Sequence, residues 1–208
     1  MVNNNAVIYV VDDDVSVCRA LGLLLKSHGF KVETFTDAAG FLAFKHPKVL
    51  SCLILDVNLP SINGFALQEM MAQEGIITPV IFITGYGNIP MSVKAMKAGA
   101  IDFLSKPFTS KELLNAITLA LTKSKVQNKK QAETTKIQQR IDTLSPRELE
   151  VFHFVAQGML NKQIASKRGT SLQTIKIHRS RVMQKMQAKT VTELIGFAQR
   201  VGITPSSD

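Results

Sequence analysis

The chain has 208 residues, 45% of them hydrophobic, enough for the core of one large domain or two small ones. Its formal net charge of +9 points to a polyanionic partner, and the charge is unevenly placed: residues 1–120 hold 9 Lys and Arg against 10 Asp and Glu, whereas residues 121–208 hold 16 against 6. Cys18 and Cys52 lie in no CxxC pair and near no histidine cluster, which argues against a cysteine metal site and for reduced thiols.

In chain order, the first segment, MVNNNAVIYVV, has no basic region ahead of its apolar run and does not read as a signal peptide. VIYVV at 7–11 is the first predicted strand. The helix in VCRALGLLLKSHG follows, with Leu21, Leu24, Leu25 and His28 on one side and Gly29 as its stop. KVETF at 31–35 is a weaker strand, and CLIL at 52–55, VIFI at 80–83 and AIDFL at 100–104 complete a set of five. The uncharged stretch 75–93 contains two prolines and three glycines, so it reads as a strand between loops and not as a membrane span. The expectation is a soluble, cytoplasmic protein with no membrane partner. Nearly continuous apolar strands alternating with helices predict an α/β doubly wound five-stranded parallel sheet, covered on both faces.

In such sheets ligands bind outside the carboxyl ends of the strands. The first strand runs into Asp12, Asp13 and Asp14, the third into Asp56, the fourth into Thr84 and the fifth into Lys106. Crowded carboxylates repel unless a cation holds them, and a hard oxygen-loving ion suits them: Mg²⁺, with Mn²⁺ an acceptable substitute. A lysine and a hydroxyl beside such an ion form a site for a phosphoryl group. Taken singly, each residue also has an ordinary reading, as a solvated loop charge, a strand end or a surface lysine. Asp14 reads best as the N-cap of the first helix.

VDDD, LDVNLPSINGF, FITGYG and MKAGAIDFLSKPF, in that order, closely resemble the receiver domain of two-component response regulators, a flavodoxin-like fold, over about the first 120 residues. The resemblance implies that Asp12 and Asp13 help hold Mg²⁺, that Asp56 is the phosphoacceptor and a metal ligand, and that the Asn58 backbone carbonyl completes the metal shell. It implies that Lys106 pairs with phosphoryl oxygens ahead of a cis bond to Pro107. Thr84 and Phe103 would form the switch, with Phe103 lacking the hydroxyl of the tyrosine often found there, and Gly85 would leave the pocket open.

After LLNAITLAL comes a polar stretch, TKSKVQNKKQAETTKIQQRID, read as a helical linker at 123–142 between a receiver at 1–122 and a second domain at 143–208. Ser145, Pro146 and Glu148 form a capping box for a helix running to Gly158. Asn161 is expected to cap a short helix, Gly169 to turn the chain, Ser171 to cap the basic helix LQTIKIHRSRVMQKM, and Thr190 with Glu193 to cap a fourth. This is a helix-turn-helix within a small all-α domain. Leu172, Ile175, Val182 and Met186 are expected to face its core. Thr174, Lys176, Ile177, Arg179, Ser180 and Arg181 are left for double-stranded DNA. SPRELEVF, NKQIA and TIKIHRSRVMQKM resemble the LuxR-type DNA-binding domain, and both halves together resemble a FixJ/NarL-class response regulator.

That resemblance implies a transcription regulator and not a turnover enzyme, its only reaction beyond accepting the phosphoryl group being autodephosphorylation. The implied partners are a sensor histidine kinase, DNA, RNA polymerase and a second copy of the chain, the homodimer forming on phosphorylation or DNA binding. A haloacid dehalogenase-type phosphatase would use Asp12 and Asp14 with Thr84 and Lys106, but VSV does not supply its DGT-like turn. A DNA-binding module regulated by protein contacts alone is the third reading.

Overall fold

The apolar runs of the first half become five strands in the computed structural model, which describes residues 6–203: β1 (Val7–Val11), β2 (Lys31–Phe35), β3 (Ser51–Asp56), β4 (Val80–Thr84) and β5 (Asp102–Ser105). All pair in parallel, in the order β2-β1-β3-β4-β5. Helices α1 (Val15–Ser27), α2 (Ala38–Ala43), α3 (Gly64–Gln73), α4 (Ile89–Lys97) and α5 (Ser110–Ile141) follow the strands in turn. β1, β3 and β4 are buried throughout. Alternate residues point to opposite faces, so Tyr9, Leu53, Leu55 and Phe82 enter one apolar cluster, and Ile8, Val10, Ile54 and Ile83 enter another with Leu113 and Ile117 of α5. β2 and β5 lie at the sheet edges and are only partly covered.

Local chemistry sets the boundaries. The Asp14 side chain accepts from Ser16 N at 2.7 Å and caps α1, and Gly29, at φ 84°, ends it. Leu21 and Leu25 are buried, but His28 is not on the apolar stripe: it lies one residue past α1, exposed, with Nδ1 2.9 Å from Leu24 O. β5 starts at Asp102 and not at Ala100, because the Ala100 N–H is used to close α4 on Ala95 O.

Residues 1–129 form one compact unit and residues 130–208 another. α5 is a single helix of 32 residues, so most of the polar stretch 123–142 is helical. Ser124 Oγ accepts from Ser51 N at 3.1 Å and Asn128 Nδ2 donates to Val49 O at 2.9 Å, which fastens this part of α5 to the first unit.

The second unit adds α6 (Pro146–Ala156), α7 (Asn161–Arg168), α8 (Leu172–Met186) and α9 (Val191–Arg200) around a core that includes Ile141, Phe152, Ile164, Ile175, Val182, Met186 and Leu194. The Ser145–Glu148 capping box is present, as are the Ser171 and Thr190 caps. Three expectations are corrected. α6 stops at Ala156, with Gly158 taking φ 81° beyond it. Asn161 is the first residue of α7 and not its cap; Leu160 is the N-cap and its N–H donates to Gln163 Oε1 at 2.7 Å. Leu172 is 43% exposed, because at about 100° per residue it stands some 60° from Ile175, off the buried stripe.

Candidate functional site

Val11 pairs with Leu55, so Asp12 and Asp56 leave β1 and β3 side by side, where the sheet order turns outward in both directions. Asp12 and Thr84 are fully buried and Asp56 is 7% exposed. Lys106 reaches this pocket from the end of β5 and bridges it: Nζ donates to Asp12 Oδ2 at 2.6 Å and to Asp56 Oδ2 at 2.8 Å. The other carboxylate oxygens are held by the backbone, Asp12 Oδ1 by Asp14 N and Asp56 Oδ1 by Asn58 N, both at 3.0 Å. Thr84 Oγ1 accepts from Asn58 Nδ2 at 3.3 Å and from Tyr86 N at 3.2 Å. The Lys106–Pro107 bond is cis.

Burial pushes the Asp12 carboxyl above its ordinary range despite the hydrogen bond from Lys106, and the charge of Asp56 adds to the rise. Burial pulls the Lys106 ammonium down, but its hydrogen bonds to Asp12 and Asp56 outweigh that and leave it raised. Burial thus works against charge on Asp12, while one lysine is shared between two carboxylates. Asp12, Asp13 and Asp56 each offer a carboxylate oxygen, all within 4.8 Å of one another, and Asp13 is exposed. An all-oxygen set open to water on one side fits a hard divalent cation such as Mg²⁺. Asp14 takes no part, since its carboxylate is committed to the cap of α1.

Two neighbours escaped the sequence reading. Gly85 has open space where a Cβ would stand, whereas a Cβ on Gly87 would come 2.5 Å from Ser105 Oγ and 3.1 Å from Phe103 Cε1. Gly87 is therefore the residue whose lack of a side chain matters, because it lies against the half-buried Phe103 and against Thr84. The second is the Asn58 side chain, expected to contribute only a carbonyl, which donates to Thr84. No spacing signal marks either residue.

In the second unit, Lys176, Ile177, Ser180 and Arg181 are exposed on α8. Thr174 is half-buried, its Oγ1 2.8 Å from Ser171 Oγ. Arg179 is also half-buried and donates to Asn161 Oδ1 at 2.6 Å, so it ties α8 to α7. Beneath α8, Glu148 Oε2 accepts from Lys185 Nζ at 2.6 Å.

Residues 8–118 match the response regulator receiver domain family, and residues 142–198 match the bacterial regulatory proteins of the luxR family. The chain is a response regulator. Nodulation protein W of Bradyrhizobium diazoefficiens is 43% identical to it over 202 residues, covering 97% of this chain and 89% of that one. The solved structure of the response regulator StyR superposes with a TM-score of 0.74 at 39% identity, covering 94% of this chain and 99% of that one. Full-length FixJ from B. japonicum gives a TM-score of 0.54 at 37% identity, with 95% and 97% covered. A response regulator with these two domains regulates transcription: the receiver implies a histidine kinase partner and the LuxR-type domain implies DNA binding. No helix among the described residues is long and apolar enough to cross a membrane.

Proposed function

We propose that Asp56 accepts a phosphoryl group in the presence of Mg²⁺ and that its phosphorylation switches DNA binding on. The observation that carries this reading is the Lys106 ammonium lying on both Asp12 and Asp56 at 2.6 and 2.8 Å, beside the buried Thr84 hydroxyl. An Asp56 carboxylate oxygen attacks the phosphorus of a kinase phosphohistidine; the P–N bond breaks and the imidazole leaves with its electron pair. Asp12, Asp13 and Asp56, with the Asn58 backbone carbonyl, would hold Mg²⁺, which when bound supplies positive charge for the transferring group. Lys106 neutralises phosphoryl oxygens, and Thr84 hydrogen-bonds the new group. Water removes it later, in autodephosphorylation.

With Thr84 drawn to the phosphoryl group, Phe103 turns inward. The receiver, 1–122, then favours a conformation that dimerises and releases the DNA-binding part, 143–208, through the helical connection 123–142. On DNA, Lys176, Ile177 and Ser180 reach the major groove while Thr174, Arg179 and Arg181 approach phosphates, and the dimer engages RNA polymerase. The protein acts in the cytoplasm, where both the kinase's phosphohistidine and the DNA are reached.

The experiment is an intact-mass assay with Mg²⁺ and acetyl phosphate or phosphoramidate, beside Asp56→Ala, with sizing of each sample. One added phosphoryl group that needs both Mg²⁺ and Asp56, with a shift toward dimer, is the expected result. No addition to the folded wild type from any donor refutes the proposal.

A further inference from the structure

Beside the helix-turn-helix turn lies a polar cleft of about 290 Å³. Arg147 and Glu150 of α6, Arg168 and Thr170 at the turn, and Thr174 and His178 of α8 line it. Its cationic donors exceed what its one carboxylate can engage. Glu150 is 2.7 Å from Arg168 but 3.8 Å from Arg147, whose side chain is 70% exposed. Each guanidinium carries about five N–H donors, so one carboxylate leaves most of them unbound. His178 Nδ1 is buried with no hydrogen-bond partner among the described residues. Two guanidinium groups, an imidazole and two hydroxyls are the donor set that a phosphate oxyanion takes.

The cleft's position on α8 narrows the source of that phosphate. At about 100° per residue, Thr174 stands some 60° round the helix from Ile177, and His178 about 40° further in the same direction. The cleft therefore adjoins the exposed side that carries Ile177 and Ser180, on the flank next to α6. A helix seated in a major groove has a sugar-phosphate strand along each flank, and contacts to it set register without reading sequence.

We propose that this cleft seats one phosphate of the DNA backbone, clamped by Arg147 and Arg168 with His178 and Thr174 at its side, and so fixes how α8 lies in the groove. The proposal rests on the DNA-binding reading and adds to it Arg147 and Arg168, which lie outside the set expected to meet DNA.

The test uses the full chain, short duplexes of random sequence and fluorescence anisotropy at several salt concentrations. Arg147→Gln, Arg168→Gln, their double variant and a charge-matched Lys136→Gln outside the cleft are compared, with melting curves to confirm folding. Loss of one phosphate contact lowers the slope of log affinity on log salt by about 0.9, which makes the affinity loss between about 50 and 200 mM salt roughly 3.5-fold smaller. Each cleft variant is expected to show that change, the double variant no more than either alone, and Lys136→Gln none.

Wild-type slopes in both cleft variants, or additive changes in the double variant, overturn the proposal and leave DNA binding standing. If the wild type binds no duplex, the DNA-binding reading falls and the cleft assignment with it. Inorganic phosphate is added alone as a second arm, followed by the His178 ring resonances. A shift that Arg168→Gln abolishes, with unchanged DNA slopes, makes the cleft a free-anion site and also overturns the assignment.

Discussion

The receiver and the DNA-binding unit each contain a buried carboxylate with a lysine ammonium at 2.6 Å, Asp12 with Lys106 and Glu148 with Lys185, and the two acids are driven in opposite directions. Asp12 is raised, because burial disfavours its charge and Asp56 competes for the same lysine. Glu148 is lowered to about 2, because Lys185 and the Ser145 N–H both stabilise its charge and no second acid shares them. Lys185 is also 39% open to solvent, which eases the desolvation of its pair, against 24% for Lys106. Distance alone does not distinguish a site from a clasp. Competition for the partner does: the receiver pair is held at a cost that an incoming charged ligand can relieve, whereas the other pair stabilises α6 and α8.

The strongest way to break this comparison is to remove the shared lysine. Lys106→Met should lower the rate of Mg²⁺-dependent phosphorylation by about 100-fold, the loss typical of removing one charge-stabilising donor from a reaction site. A time course by intact mass measures it. A rate within a few-fold of wild type, in a folded variant, would mean that Lys106 only pairs with its neighbours.

The next test sharpens the comparison through stability. Glu148→Gln should cost about 2 kcal/mol, through the charged hydrogen bonds to Lys185 and Ser145. Asp12→Asn should instead stabilise the metal-free receiver by about 1 kcal/mol, since it removes a desolvated charge while Lys106 keeps Asp56. Denaturant titrations in chelator read both. Glu148 also predicts a pH signature. Its folded value of about 2 lies below its ordinary 4.5, so its contribution is complete above 4.5 and is lost as pH falls toward 2. The difference between wild type and Glu148→Gln should shrink over that window. Asp12 has the reverse sign: its folded value lies above 3.8, so its penalty is relieved as pH falls toward 3.8, and the gain from Asp12→Asn should fade there.

Much of this was legible in the sequence where the signal is local. The continuous runs VIYVV and VIFI encode strands covered on both faces, and the Asp14 and Ser145 caps announce themselves within three residues. The carboxyl-edge rule placed Asp12, Asp56, Thr84 and Lys106 at one end of the sheet. What the sequence hides is pairing over distance. Lys106 meets Asp12 across 94 positions and Lys185 meets Glu148 across 37, and no periodicity records either. The errors fall at element ends. Pattern alone places His28, Asn161 and Leu172, and each sits where a helix begins or stops and the pattern no longer controls the side chain.

The smallest effect concerns an orphan in the receiver core. The Tyr9 hydroxyl is buried without a hydrogen-bond partner among the described residues, in a cluster with Phe35, Phe41, Phe44 and His46. Burial, with the charge of Glu33, pushes the phenol up to about 12, so it is neutral at pH 7. Tyr9→Phe keeps the edge-to-face ring contacts with Phe41 and His46, at 5.7 and 5.2 Å, and deletes only the unpaired oxygen. The substitution should therefore stabilise the receiver by roughly 0.5–1 kcal/mol, the reverse of the usual cost of losing a buried hydroxyl. A thermal melt that falls instead would show that the hydroxyl has a partner in solution. The phenol would then join Glu148 as a satisfied polar group, and the crowded carboxylates of Asp12 and Asp56 would stand alone as the receiver's costly feature.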